Sequence, residues 1–450
     1  MSDGSGRPSS FPVARLPAFH ARVALLLVFL VGVCNYLDRY AMSVLQVPIK
    51  VELGLSDGQL GLLTGLAFFI PYVLVTLPIG RLADRYSRKY ILAGALVVWS
   101  AMTALVSVSQ GFLLIMFLRM GVAIGEAACL PTSYSLLADC FPPERRARAI
   151  AIVGISFPVG SSLGIAGAGA LEGLLGWRGA FVALGAIGLV LAPVLLAVVR
   201  EPARGGADRT GPQAGPAPAP PPPFGEALRM LWKQPVFRFV AFGMGFQTYV
   251  AATVLSWSTP FYTRVHGIPL TRVALLFGLI AGIGGAVGSY GGGLLSDRFG
   301  RGNPRAYLWI PAAACALTVP MGLAQFLVPD ACASLAFAMA TVMLVSCFPP
   351  PVYAIAHSLV PANMRGLTSA LLVVSSSILG GAFGATVTGV LSDRLLGLGL
   401  GADALRYAAC TAFAFSGLAA WLFSRAASRV EARPGQGAAA IPDAGGRAAR

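Results

Sequence analysis

Long apolar stretches without a charge recur along the chain, and they constrain its fold more than any other feature. Each is about 20 residues long, the length that an α-helix needs to cross a hydrocarbon core of about 30 Å. Only 11% of the 450 residues are charged, against roughly a quarter in soluble domains. We therefore predict an all-α polytopic membrane protein, and a soluble enzyme is a remote alternative.

The apolar stretches predict twelve transmembrane helices in two groups of six. The first group covers about residues 22–45, 58–79, 90–109, 111–137, 147–170 and 178–199. The second covers about residues 236–261, 272–295, 306–327, 333–357, 366–391 and 404–424. Between the groups lies PQAGPAPAPPPP, a composition that cannot pack a core and predicts a linker. The predicted divisions are a cytoplasmic N-terminal segment (1–21), a first six-helix half (22–199), a cytoplasmic linker (200–234), a second six-helix half (235–424) and a disordered cytoplasmic tail (425–450).

The positions of the 33 Lys and Arg residues predict how the chain is oriented. Short loops rich in these residues stay in the cytoplasm. With both termini inside, the cytoplasmic segments hold 25 of the 33 and the outer loops hold six. The six are Lys50, Arg178, Arg264, Arg272, Arg394 and Arg406. The net charge of +15 therefore indicates membrane topology, and we expect membrane lipids rather than nucleic acid as partners, with the chain in the inner (plasma) membrane.

The sequence contains no motif that would indicate a metal, a redox centre or a catalytic nucleophile. The seven cysteines are scattered, and no pair is spaced like a metal or redox motif. There is no phosphate-binding Gly-rich loop followed by Lys and no nucleophile elbow. The first apolar stretch lacks a small-residue cleavage site, so we expect it to remain as the first helix. We predict a monomer without metal, cofactor or enzymatic activity, driven by an ion gradient, with protons as the coupling ion, or by the gradient of its substrate.

An internal repeat supports the division into halves. The loop after the second span is GRLADRYSRK (80–89), and the loop after the eighth is GLLSDRFGR (293–301). Matching positions hold Gly80, Asp84, Arg85 and Arg88 in the first loop and Gly293, Asp297, Arg298 and Arg301 in the second. Repeated six-helix units are typical of transporters that rock around a central site. We interpret the loops either as basic turns that fix topology or as a cytoplasmic gate, in which Asp pairs with a facing helix or with Arg.

Four charged residues lie deep within spans of the first half: Asp38 and Arg39 in the first span, and Arg119 and Glu126 in the fourth. One Asp, Arg or Lys at a helix centre costs roughly 2.5 to 3.5 kcal/mol, so these residues should be paired or face a water-filled cavity. Arg119 and Glu126 are separated by about two helical turns and share one face, about 10 Å apart. Asp38 and Arg39 point about 100° apart, so one of them should face a neighbouring helix.

These charges have two interpretations. They form either a buried cluster that only locks two spans together, or a site where Asp38 or Glu126 exchanges a proton while Arg39 or Arg119 binds an anionic substrate. The spans of the second half carry no matching buried charge. We predict that it contributes a more apolar cavity wall that shelters an amphiphile, lined by Tyr249, Trp257, Tyr290 and Tyr353.

The GRLADRYSRK loop resembles the signature of the major facilitator superfamily, and the likeness covers essentially the whole chain. Within that superfamily the chain is most similar to the Spinster family, in CNYLDRY (34–40), RMGVAIGEA (119–127), LLADCFPPERRARAIAI (136–152), GWRGAF (176–181) and PANMRGLTSA (361–370). The resemblance implies transport of a lysophospholipid or a sphingoid phosphate such as sphingosine-1-phosphate, coupled to or gated by protons.

Two other functions stay open. The anion:cation symporters, which move organic anions such as sugar acids with protons, resemble the chain in its first and fourth spans. They typically differ from it in the stretch that begins at Glu126, which here is EAACLPTSYSLLADCF. A receptor or scaffold that transports nothing would keep twelve spans but would not need buried carboxylates beside Arg.

Overall fold

The structure is a computed structural model that describes residues 18–202, 224–301 and 303–430. Within these ranges all regular secondary structure is helical. The N-terminal segment up to residue 17, the Pro- and Ala-rich part of the predicted linker and the tail beyond residue 430 lie outside the described residues.

Helices account for both halves of the described chain. In the first half they are α1 (Ala18–Leu53), α2 (Asp57–Thr64), α3 (Leu66–Arg85), α4 (Arg88–Leu105), a 3-10 turn (Val106–Val108), α5 (Phe112–Glu126), α6 (Cys129–Cys140), α7 (Pro143–Gly154) and α8 (Ser156–Val198). The second half begins with α9 (Phe224–Lys233), α10 (Pro235–Arg264), α11 (Leu270–Leu279), a π-helical turn (Ile280–Gly284), α12 (Gly285–Gly300) and α13 (Ala306–Leu327). It continues with α14 (Ala331–Ser346), α15 (Pro349–Ser358), a 3-10 turn (Ala362–Met364), α16 (Arg365–Ser375), a second π-helical turn (Ser376–Ala382), α17 (Phe383–Gly397), a 3-10 turn (Gly401–Asp403), α18 (Ala404–Thr411) and α19 (Phe413–Arg429).

The described helices make twelve membrane crossings. Eleven helical stretches among the described residues are long and apolar enough to span a membrane. One of them, Arg148–Val198, has 51 residues, more than twice the length of about 20 that one crossing needs. Gly176 inside this stretch has φ 68° and ψ 171°, a conformation that favours glycine and ends a helix, so the stretch crosses twice. The predicted number of spans is therefore confirmed, and the break lies in the predicted gap between them.

Proline residues divide two of the spans. Pro131 has no N–H to bond the carbonyl of Ala127, and the fourth span breaks between α5 and α6. In the tenth span the break precedes Pro349, the first residue of α15. The first break affects the site directly, because Glu126 is the last residue of α5.

Close packing of α8 against α1 positions the charges of the first span. A Cβ added to Gly164 would lie 2.5 Å from the carbonyl oxygen of Leu37, and one added to Gly160 would lie 2.7 Å from that of Val33. Such distances are too short for any side chain, so glycine is required for this approach. The contact holds the turn of α1 that immediately precedes Asp38.

The end of the predicted linker forms a short amphipathic helix. In α9 the side chain of Leu231 is fully buried and belongs to a core cluster of the second half, whereas Arg229 and Lys233 are exposed. Leu228 and Trp232 lie on the same side of the helix as Leu231, as expected for apolar residues spaced by three and four. This part of the linker therefore packs against the second half.

Candidate functional site

Arg39 and Glu126 form an ion pair between the first and fourth spans. The Arg39 guanidinium donates to Glu126 Oε2 from Nε at 3.1 Å and from Nη2 at 2.7 Å. Asn35 accepts from the same guanidinium at 3.3 Å and donates to the backbone carbonyl of Glu126 at 3.5 Å. The Glu126 side chain is fully buried, but the Arg39 side chain keeps 14% exposure. The pair can therefore be reached from the Arg39 side.

Asp38 and Arg119 are buried in the helix packing close to this ion pair. Trp99 and Thr103 of α4 lie beside the buried Asp38 carboxyl. Arg119 is buried too, close to the other three charges, and forms no ion pair with the described residues. Asp38 Oδ1, Arg119 Nε and Glu126 Oε1 are buried without a hydrogen-bond partner among the described residues. Desolvated polar atoms of this kind are costly, so the cluster is poorly satisfied in this arrangement.

Aromatic rings surround the Arg39 guanidinium. Its central carbon lies 4.8 Å from the ring centre of Phe68, 5.0 Å from that of Tyr72 and 5.3 Å from that of Tyr36. The Arg119 guanidinium carbon approaches the same Phe68 ring at 4.9 Å. Cation–π contacts are worth about 2 kcal/mol when the cation is desolvated. They can keep Arg39 in place when Glu126 is not its partner.

The predicted helix geometry accounts for this arrangement. Asp38 and Arg39 diverge from adjacent positions of α1, so that Arg39 meets α5 at Glu126 while Asp38 faces α4. Arg119 and Glu126 both face α1 from one side of α5. The structure thus brings the four predicted charges of the first half into one cluster.

The aromatic residues predicted in the second half do not form one wall. Tyr353 is half-buried and close enough to Tyr72 and Tyr134 of the first half to interact with them electrostatically. It therefore belongs to the surroundings of the site. Tyr249 is buried, and its ring centre lies 4.5 Å from that of Phe415. It therefore supports the second half from within the helix packing.

The other two residues predicted to line the cavity, Trp257 and Tyr290, lie in different environments. Trp257 is fully buried and donates from Nε1 to the carbonyl of Ala385 at 3.0 Å, because Gly389 leaves room for the indole between α10 and α17. Tyr290 is 74% exposed on α12.

In the first repeated loop, Arg88 makes the strong contacts. It is buried and pairs with Asp139 and with Glu201, the latter from Nε to Oε1 at 2.8 Å. Asp139 lies in the first half, 51 residues away in the sequence, and Glu201 lies 113 residues away, just after the last helix of that half. The side chain of Asp84, the predicted partner, is outside the described part of the structure. Of the other gate residues, Arg85 is exposed, and a Cβ added to Gly80 would meet no atom within 4 Å.

The second repeated loop also contacts its own half. Asp297 accepts a hydrogen bond from the Tyr307 hydroxyl at 2.8 Å. A Cβ added to Gly293 would lie 3.7 Å from Pro350, an ordinary contact. Arg298 and Arg301 are exposed. The ion pairs of Arg88 and the hydrogen bond of Asp297 thus do not join the two halves.

Glu201 ties the end of the sixth span to the start of α4. Its carboxylate accepts from the backbone N–H groups of Arg88 at 3.0 Å and Lys89 at 2.9 Å, and from the Ser87 hydroxyl at 2.9 Å. Burial by itself raises the pKa of Glu201, but the hydrogen bonds from Arg88 and from the backbone outweigh it, so the pKa is lowered. The helix dipole also stabilises a negatively charged carboxylate at a helix N-terminus, and this acts on the pKa in the same direction.

We expect Glu201→Gln to destabilise the protein at neutral pH by about 1 to 3 kcal/mol. Because the native pKa of Glu201 is lowered, its stabilisation is present above the ordinary glutamate pKa of about 4.3 and is lost as the pH falls through the native value. Thermal unfolding of the purified protein between pH 7 and pH 3 should show a variant deficit that shrinks on acidification. The exposed Glu226→Gln is the matched control, and an equal melting temperature for Glu201→Gln and wild type at pH 7 would contradict this role.

Asp57 joins the two halves at the end of the bundle opposite these loops. It is buried at the start of α2 and accepts from Lys50 of α1. Arg264, the last residue of α10, donates from Nη1 to both carboxylate oxygens, at 2.8 and 2.9 Å. The Ser392 hydroxyl of α17 donates a further hydrogen bond to Asp57 Oδ2 at 2.7 Å. One carboxylate on α2 thus contacts three other helices, α1 of the first half and α10 and α17 of the second.

Further hydrogen bonds close this end. Asp393 accepts from the backbone N–H groups of Asp57 and Gly58 at 2.8 and 2.7 Å. Nearby, the Gln46 amide donates to the carbonyl of Ser256 at 2.6 Å, and the Thr386 hydroxyl donates to that of Gly61 at 3.0 Å. We call the end defined by Asp57, Arg264 and Asp393 the closed end. This end was not predicted from the sequence, because Asp57 meets its partners from the second half only in the folded chain.

Known proteins are similar to this sequence along most of its length. The family model for the Major Facilitator Superfamily matches residues 28–385. An MFS-type efflux pump of Mycolicibacterium smegmatis is 34% identical over 385 residues, which cover 86% of this chain and 87% of the pump. Protein spinster homolog 1 of Homo sapiens is 29% identical over 399 residues, which cover 83% of this chain and 74% of the human protein.

Solved structures extend the similarity to the fold. A bacterial homolog of the human lysosomal transporter Spinster, crystallised in an inward-facing and unoccupied conformation, superimposes with a TM-score of 0.85 at 28% identity. The match covers 92% of this chain and 98% of the homolog. The predicted fold of twelve helices in two halves and the resemblance to the Spinster family are confirmed. This chain is an integral membrane transporter that belongs to the major facilitator superfamily and is of the Spinster type.

Proposed function

We propose that the protein moves an amphiphilic anionic lipid, a lysophospholipid or a sphingoid phosphate, across the membrane by alternating access. The observation that carries this proposal is the Arg39–Glu126 ion pair, which is buried on the Glu126 side and reachable on the Arg39 side. An anionic head group can displace Glu126 from the guanidinium, because both offer oxygen acceptors to the same donors.

The two halves differ in a way that suits an amphiphile. The buried charges at membrane depth are in the first half, whereas the buried polar residues of the described second half are all uncharged. Tyr353 approaches the first-half tyrosines from a largely apolar environment. A head group bound at Arg39 would therefore leave an acyl chain against the second half.

Proton exchange at Glu126 or Asp38 supplies the coupling in this proposal. If a substrate anion takes Arg39, the Glu126 carboxylate is left buried without its cation, a state that costs several kcal/mol unless it is neutralised. Binding of a proton removes that charge, so anion and proton would enter the site together. Asp38 is the second candidate, because one of its oxygens is also buried without a partner.

We place the closed end on the outer side of the membrane, with both termini in the cytoplasm. The excess of Lys and Arg at the opposite end supports this orientation. The contacts of Asp57 and Arg264 between the halves, together with the likeness to an inward-facing homolog, support an inward-facing state. In this state Arg39 would be reached from the cytoplasm.

Uptake by proteoliposomes under an imposed pH gradient tests the proposal. Three labelled compounds are compared: a lysophospholipid, a sphingoid phosphate and a sugar acid. We expect the gradient to stimulate uptake of a lipid, while the sugar acid stays at the level of protein-free vesicles. Uptake of the sugar acid alone would favour an organic anion symporter, and uptake of none of the three would contradict the proposal.

A further inference from the structure

A small apolar groove lies on the second half, away from the charge cluster. It is formed by α9, the first turns of α10, and α16 with the π-helical turn that follows it. Its walls include Leu228, Trp232, Phe242, Leu371, Ile378 and Leu379. The hydroxyl of Ser375, a polar residue in the wall, is bonded to the carbonyl of Ala241 at 2.7 Å. The groove therefore offers an occupant an almost entirely apolar surface.

The size and the exposure of the groove indicate what fits it. Its volume is about 240 Å³, below the range of roughly 300 to 1,000 Å³ that pockets for whole small molecules occupy. Trp232 is 50% exposed and Phe242 37%, so the walls remain open at the side. A segment of a flexible acyl chain can enter such an opening while the rest of the lipid stays in the membrane.

Cations flank the groove. Arg229 directly follows the wall residue Leu228, and Lys233 directly follows the wall residue Trp232. Each cation therefore lies about 100° around α9 from its neighbour in the wall. Arg238, in the first turn of α10, is exposed as well. Glu226, at the start of α9, is acidic. Against Arg229, Lys233 and Arg238 it leaves the charge around the groove positive.

An amphipathic helix with Trp near its cations is suited to the membrane interface. Trp residues are enriched there, and a Lys or Arg beside an anionic leaflet adds about fivefold in affinity. We propose that the groove binds one acyl chain of an anionic membrane phospholipid, with the phosphate of the head group held by Arg229 and Lys233. This site is separate from the transported substrate and does not depend on its identity.

Quenching of Trp232 fluorescence tests the site. The full chain is reconstituted with phosphatidylglycerol or phosphatidylcholine carrying a brominated acyl chain, and the Trp232 signal is obtained as the difference between wild type and Trp232→Phe, because the chain has six Trp residues. We expect half-maximal quenching by the anionic lipid at a mole fraction at least about fivefold lower than by the zwitterionic one. Equal quenching by the two lipids, or no quenching of Trp232 while other Trp residues are quenched, would overturn the proposal.

Charge variants separate the groove from general attraction to the membrane. The double variant Arg229→Gln/Lys233→Gln should abolish the preference for phosphatidylglycerol. Arg145→Gln/Arg148→Gln, which removes two exposed cations of α7 in the other half, should leave the preference unchanged. An equal loss in both double variants would mean that bulk electrostatics, not the groove, selects the lipid. Elution as a single species in size-exclusion chromatography verifies that each variant is folded.

Discussion

The Glu126→Gln variant is expected to lose at least tenfold of its proton-driven uptake, equivalent to about 1.4 kcal/mol. Glutamine has the same shape and can still accept a hydrogen bond from Arg39, but it carries no charge to alternate with a proton. Uptake driven by the substrate gradient alone should be less affected than uptake driven by the pH gradient. The measurement compares initial rates in proteoliposomes with and without an imposed pH gradient, normalised to the amount of folded protein.

Glu172→Gln is the matched control, since Glu172 lies in α8 of the same half and forms no ion pair with the described residues. Asp38→Asn and the double variant with Glu126→Gln decide which carboxylate carries the proton. An unchanged pH dependence in the double variant would contradict proton exchange at this cluster. If Arg119→Ala lowered only the yield of folded protein and not transport per folded molecule, Arg119 would be a structural residue.

Opening of the closed end is the second large effect that we expect. Asp57→Asn removes the charge that Lys50 and Arg264 share, and breaking a buried pair of this kind costs about 3 to 5 kcal/mol, less here because both cations are partly exposed. The equilibrium between the closed and open end should shift by at least about tenfold. Spin labels at Val51→Cys and Leu398→Cys, one exposed position in each half, report the distance by pulsed electron resonance.

The label pair requires replacement of Cys332, which is exposed. Asp403→Asn is a matched control, because Asp403 pairs with Arg406 in its own half, at 3.0 Å and on the surface. We expect longer distances in Asp57→Asn and in Arg264→Gln, with little additional change when both are combined, since they remove one interaction. A distance distribution in Asp57→Asn identical to that in Asp403→Asn would contradict a locking role for Asp57.

The sequence was informative where the free-energy cost of placing a residue in the membrane depends on that residue alone and not on its neighbours. A charge at membrane depth is expensive wherever it lies, so Asp38, Arg39, Arg119 and Glu126 could be recognised without knowing their neighbours. The twelve spans could be predicted for the same reason, because apolar length alone fixes whether a segment can cross a bilayer.

Features that depend on distant partners could not be predicted. Arg88 meets Asp139 and Glu201 only after three spans have packed together, and no local pattern links them. Trp257 is buried because Gly389, on another helix, leaves space for its ring. Asp57 resembled an ordinary residue at the start of a helix until Arg264 was brought to it from the other half.

In the proposed mechanism an anionic substrate takes Arg39 while a proton neutralises Glu126 or Asp38. The most direct test of this mechanism is to add a lysophospholipid or a sphingoid phosphate to the purified protein in weakly buffered detergent and to count protons with a pH-sensitive dye, while calorimetry measures binding. We predict uptake of about one proton per bound substrate in the wild type and none in the Asp38→Asn/Glu126→Gln double variant. Substrate binding to the wild type without proton uptake, or equal uptake by the double variant, would contradict this mechanism.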